Sequence, residues 1–261
     1  MKKIITTIIL FFAIFVIFIQ PVYIGINFGG FWTLTAIMIG LSLYTGFNDK
    51  KIFPTILFFS LVHITRPINY WFTELIHMNF PGTFYLFPIL IFTGLILLIK
   101  PIRKNISWWT RDKIDRTTVF IIAGLSLISG IALFIWGFYI ADDLTNFTKN
   151  LPDVAAIWII INGLGFALLN SIAEEYLARG MLCNGLEKIL NNKFAVILIQ
   201  ALIFGFFHKN GFPGGLTGIV MVIFWSIVLG IIRYRTKGLL GVITGHFFAD
   251  FTIYLILYGL K

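Results

Sequence analysis

Charge is what this sequence has least of. Only 12% of its 261 residues are Asp, Glu, Lys or Arg, against about 25% in an ordinary soluble domain. The single cysteine, Cys183, excludes an internal disulfide. No small-x-small cleavage site follows the opening "MKKIITTIILFFAIFVIFIQP", so this stretch reads as a retained first span and not as a removable leader. Period-2 alternation is missing too, which excludes a transmembrane barrel. There is no internal repeat, no low-complexity tract and no stretch with the composition of a soluble domain.

What fills the chain is apolar. Hydrophobic residues make up 59% of it and the mean hydropathy is +0.94, carried by long blocks. Runs of about 16 to 23 apolar residues recur at 4–19, 31–47, 84–99, 118–140, 154–173, 216–232 and 239–258, each near the length that crosses about 30 Å of hydrocarbon as a helix. Shorter runs lie at 52–64 and 194–207. The expected fold is an all-α membrane protein, a polytopic transmembrane helix bundle of eight or nine spans.

The formal net charge of +9 does not point to nucleic acid, because the basic residues sit in short loops between apolar runs. These are Lys2 and Lys3, "NDKK" at 48–51, "KPIRKNISWWTRDKIDR" at 100–116, "EKILNNK" at 187–193 and "RYRTKG" at 233–238. The positive-inside rule assigns them to the cytoplasmic side. The alternate loops are neutral, mixed or acidic, with Asp142, Asp143 and Asp153 in one of them. With nine spans, the N-terminus is expected inside and the C-terminus outside; a re-entrant 52–64 changes the parity upstream of it.

A break falls in that acidic loop, dividing an N-terminal transmembrane region (1–150) from a core (151–261). Of eleven Asp and Glu residues, only Glu174, Glu175 and Asp250 lie within apolar stretches. Of four histidines, His63 and His77 flank an outer loop, His208 ends a span and His246 lies inside one. A charge at the bilayer centre costs at least about 2.5 kcal/mol on insertion scales, so such residues need partners or a wet cavity and are functional candidates.

Spacing gives them geometry. Glu175 and Arg179 are four apart with the acid first, which suits an ion pair on one helix face, while Glu174 points about 100° away. "FGFFH" sets Phe204 and His208 four apart, and "HFFAD" sets His246 and Asp250 four apart. A hairpin turning at "NNK" brings Glu174 and His208 to nearly equal height. His246 joins them only if that hairpin protrudes from the membrane by two turns. Structural ion pairing and ordinary packing compete with a functional reading of each residue taken alone. Four titratable groups on three helices otherwise empty of charge favour function.

In these residues the chain resembles a family. "EEYLAR" at 174–179, "FGFFH" at 204–208 and "HFFAD" at 246–250 are similar to the EExxxR, FxxxH and Hxxx(N/D) motifs of the CPBP (Abi) intramembrane proteases, which include the type II CAAX prenyl endopeptidases. Order and spacing match, as does Gly180 after the arginine. The resemblance covers about residues 154–258. It implies hydrolysis of a peptide bond of a membrane-associated protein or peptide substrate, with Glu174 as the base that activates water and His208 holding that water. His246 and Asp250 would then stabilise the oxyanion, with Glu175, Arg179 and Phe204 in support.

No serine nucleophile or HExxH pair competes with this assignment. Glu174, His208 and His246 could alternatively ligate zinc, and both mechanisms stay open, as does the metalloprotease label. Asp250 is a departure, since the prenyl endopeptidases carry Asn there, and no CAAX specificity is inherited from the motifs. The Phe-, Ile-, Asn- and Lys-rich composition suggests a bacterial plasma membrane protein. The alternatives are a non-catalytic adaptor or immunity protein binding a partner's transmembrane helix, and a transporter, which the absence of an inverted counterpart disfavours.

Overall fold

The computed structural model describes residues 2–23, 28–76, 80–141, 143–149, 151 and 153–261, so that His77 and Asp142 lie outside the described residues. Those residues form helices and no strand. In chain order they are α1 (Lys2–Tyr23), α2 (Phe28–Asn48), α3 (Phe53–Ile64), α4 (Arg66–Ile76), α5 (Pro81–Phe84), α6 (Leu86–Leu98) and α7 (Lys100–Arg103). Then follow α8 (Arg116–Ile135), α9 (Thr145–Thr148), α10 (Ala156–Glu175), α11 (Cys183–Ile189), α12 (Lys193–Phe207), α13 (Gly215–Thr236) and α14 (Leu240–Gly259). Trp136–Ile140 after α8 and Tyr176–Leu182 between α10 and α11 are π-helical, and His208–Asn210 after α12 is a 3-10 turn.

Each apolar run of the sequence falls on a helix. Six helical stretches among the described residues are long and apolar enough to cross a membrane: Gly29–Asn48, Arg116–Ile140, Ala156–Ile189, Lys193–Asn210, Gly215–Thr236 and Leu240–Gly259. The helices α3 and α6 are apolar but shorter. Phe120 on α8 is 75% exposed and Leu216 on α13 is 77% exposed, an arrangement suited to lipid and costly in water. The protein is a multi-pass helical membrane bundle.

Contacts divide the chain into two compact units, Met1–Trp109 with Tyr176–Val196, and Thr110–Glu175 with Ile197–Lys261. In the first unit, several buried polar groups meet neutral partners. Nε2 of His63 lies 3.0 Å from the Thr35 hydroxyl and 3.3 Å from the Phe31 carbonyl. The Ser42 and Ser60 hydroxyls are 2.8 Å apart, and Ser60 donates to the Met38 carbonyl. Asn184 donates to the Thr55 hydroxyl at 3.1 Å and accepts from the Ser107 N–H at 2.9 Å. Gly180 is a glycine for a packing reason: a Cβ there would stand 3.2 Å from the Trp108 indole.

In the second unit, α8 begins where Asp115 accepts from the N–H and hydroxyl of Thr118 at 2.8 and 2.7 Å, an N-cap that satisfies a donor the helix cannot. Those bonds, with one from Arg235, hold the Asp115 carboxyl well below the usual carboxylate range. At its far end α13 stops at Lys237, whose φ of 67 is left-handed. Residues 110–113 clip this turn: the Thr110 hydroxyl donates to the Lys237 carbonyl, the Lys113 N–H to the Thr236 carbonyl, and Asp112 accepts from the Gly241 N–H. The start of α14, and with it the height of His246, is thereby fixed.

Close helix approach positions the rest. On α10, a Cβ at Gly163 would stand 2.7 Å from the ring of Tyr254 on α14. On α13, a Cβ at Gly230 would stand 3.0 Å from Ile197 of α12, and beside it Gln200 donates to the carbonyl and hydroxyl of Ser226, each at 3.2 Å. Small residues and interhelical hydrogen bonds of this kind hold helices together where lipid removes the hydrophobic drive between them.

Candidate active site

The second unit brings Glu174 and Glu175 from the end of α10, His208 from the end of α12 and His246 with Asp250 from the middle of α14 into one cluster. Oε2 of Glu174 lies 3.8 Å from Nε2 of His208 and 3.6 Å from Nε2 of His246. Nε2 of His246 is also 3.4 Å from Oδ1 of Asp250, one turn away on the same helix. The side chains of Glu174, Glu175, His246 and Asp250 are at most 5% exposed, while that of His208 is 14% exposed and is the open edge of the group. The heights expected to differ by two turns therefore do meet. Their meeting agrees with Ala156–Ile189 staying helical for 34 residues, where about 20 suffice to span.

The ring of His208 has a defined orientation. Its Nδ1 is 2.9 Å from the carbonyl of Phe204, a group that can only accept, so Nδ1 carries the proton and Nε2 is turned toward Glu174. This is the physical content of the FxxxH spacing: the phenylalanine's backbone carbonyl, one turn back, sets the tautomer. The Phe204 ring adds a wall, with its centroid 4.5 Å from that of His208.

His246 is held on its other nitrogen. Nδ1 lies 2.7 Å from Oε1 of Glu175, a hydrogen bond that directs Nε2 toward Glu174 and Asp250. Glu175 was expected to serve Arg179. It also reaches across to α14, a contact that spacing along its own helix does not show. Arg179 is fully buried and falls in the π-helical stretch of the first unit.

Two residues were not singled out from the sequence. Asn170, one turn before Glu174, donates to Oε1 of Glu174 at 3.4 Å and to Oδ2 of Asp250 at 3.1 Å; an Asn in an apolar run, four before a site acid, was a usable signal. Trp225 packs edge-on against His246 with centroids 4.7 Å apart, and nothing around it in the sequence distinguished it from the other tryptophans. Oε2 of Glu174 is buried without a hydrogen-bond partner among the described residues, which is costly unless the site's chemistry uses it.

Fold and cluster together define a class: a multi-pass helical membrane protein with a carboxylate–histidine site buried in one unit. Residues 156–252 match the family described as Type II CAAX prenyl endopeptidase Rce1-like. Over this stretch the chain is similar to that family, in agreement with the resemblance read from its three motifs. Comparison with curated proteins and with solved structures gives no match.

Proposed function

We propose that the protein is an intramembrane endopeptidase that hydrolyses a peptide bond of a membrane-associated protein or peptide, with residues 151–261 as its protease core. The observation that carries this reading is the separation of 3.8 Å between Oε2 of Glu174 and Nε2 of His208. In the neutral form of His208, with its proton on Nδ1, both atoms are acceptors, and a water has two O–H groups, one for each. Glu174 takes the proton as the water oxygen attacks the scissile carbonyl carbon. It then passes the proton to the leaving amine nitrogen as the C–N bond breaks.

The oxyanion that forms needs a donor. Nε2 of His246 supplies one when the ring is doubly protonated, a charge matched by the carboxylates of Glu174, Glu175 and Asp250 around it. Glu175 is a positioning residue that fixes this ring from behind. Zinc fits less well. The separations of 3.6 and 3.8 Å from Glu174 to the histidines exceed the roughly 3.3 Å between ligands of a tetrahedral site with bonds of about 2.0–2.1 Å. Among the described residues, no group of three His, Cys, Asp or Glu side chains is arranged to hold a metal ion. The chemistry proposed is therefore that of the side chains alone.

The composition favours a bacterial plasma membrane as the setting. The test compares new protein N-termini in membranes of cells carrying the wild type or Glu174→Gln. Gln keeps the shape and cannot take the proton, so a set of N-termini should vanish while the protein's abundance holds. An unchanged set would turn the reading toward an adaptor whose cluster binds a partner's helix.

A further inference from the structure

We infer that Asn170 is a positioning residue of this site: its amide, donating to Glu174 and Asp250 together, turns the reacting oxygen of each carboxylate toward the histidines. This rests on the protease reading above. The Nδ2 group has two hydrogens, and the two bonds run to Oε1 of Glu174 and Oδ2 of Asp250. The oxygens facing the histidine nitrogens are the other two, Oε2 of Glu174 and Oδ1 of Asp250. Torsions at the ends of Asp and Glu side chains have broad, shallow wells, so without a donor behind them neither carboxylate has a fixed choice of oxygen.

The geometry is specific to this role. Asn170 sits on α10 one turn before Glu174 and reaches Asp250 on α14, so one buried side chain, 5% exposed, sets acids on two helices. A neutral donor does this without adding charge to a cluster that already holds three carboxylates. A cation in the same place would neutralise the acid that must accept a proton. An aliphatic side chain of the same size would fill the space and leave both acids to rotate.

The test uses the full-length purified protein in three variants: Asn170→Leu, Asn170→Asp and Asn170→Asp/Asp250→Asn. The probe is membranes from cells lacking the protein, read for new N-termini, followed by a synthetic peptide spanning the first site found. Asn170→Leu should lower kcat by roughly 10- to 100-fold, the usual effect of removing a group that orients a reacting one, with KM within about twofold. Asn170→Asp sets two acceptors face to face and should lose more. The double variant restores only the pair across to α14, with the partners exchanged, and should exceed Asn170→Asp while staying below wild type, because Glu174 still lacks its donor.

A kcat within about twofold of wild type for Asn170→Leu, a loss confined to KM, or a double variant no better than Asn170→Asp overturns the inference. If Asn170→Leu does not fold, the two Asp-containing variants decide, and failure of the double variant to fold counts against it. Glu174→Gln runs alongside. If the wild type releases no new N-termini, or Glu174→Gln matches it, the protease reading fails and Asn170 has nothing to position. If Glu174→Gln is inactive while the Asn170 variants match wild type, only the role of Asn170 fails.

Discussion

Both units of the molecule bury polar side chains among apolar helices, and they do so in opposite ways. In the first, which also buries Arg179, most of the paired polar groups are neutral and meet donor to acceptor: His63 with Thr35 and the Phe31 carbonyl, Ser42 with Ser60, Asn184 with Thr55. In the second, ionisable groups from three helices crowd one point, with Glu174 facing His208 across 3.8 Å. Polarity at membrane depth is therefore a poor marker of function taken alone. The marker is charge-bearing groups whose mutual geometry asks for a proton or a substrate between them.

That contrast breaks if the charged cluster tolerates substitution as the neutral pairs should. Asp250→Ala should lower kcat by about 10² to 10³, the usual effect of disabling an oxyanion site. Asp250→Asn, which keeps the hydrogen-bonding shape, should retain most activity with an altered pH profile. Cleavage measured between about pH 5 and 9 checks both, and equal inactivation would make the negative charge itself the requirement.

Glu175 and Arg179 sharpen it further, since both are fully buried. Removing either member of a buried charged pair costs about 3–5 kcal/mol, so Glu175→Ala and Arg179→Ala should each reduce folded protein as well as activity. Thermal melting of both singles and the double checks this, and effects that simply add would show that the two do not act together.

The neutral pairs of the first unit should cost far less. Ser60→Ala should remove about 0.5–1.5 kcal/mol of stability and leave kcat unchanged; a large fall in kcat would erase the distinction between the units. The smallest effect is at the membrane's edge. Thr118 and Arg235 hold the Asp115 carboxyl below its ordinary value, so its contribution is present at neutral pH and fades as pH falls below about 4. The melting difference between wild type and Asp115→Asn should shrink over that range, and one that widened would reverse the sign.

Much of the fold was legible because hydrocarbon allows few solutions: each apolar run became a helix, since no other open structure satisfies its backbone in lipid. The site was legible to the extent that ionisable residues are rare in such runs, which singled out Glu174, His208, His246 and Asp250. What spacing along one helix cannot express was missed. The bond from Glu175 to His246 crosses between helices. Asn170 was overlooked because a neutral amide raises no charge signal, and Trp225 because its partner is 21 residues away on another helix.

The most direct test is single-turnover cleavage of one peptide by purified wild type and Glu174→Gln, with the folded state of each checked by thermal melting. Loss of base catalysis should lower the rate of the variant by about 10² to 10⁴ with its melting unchanged. A Glu174→Gln protein that folds normally and cleaves at the wild-type rate would contradict the assignment of Glu174 as the base and, with it, the mechanism built around that carboxylate.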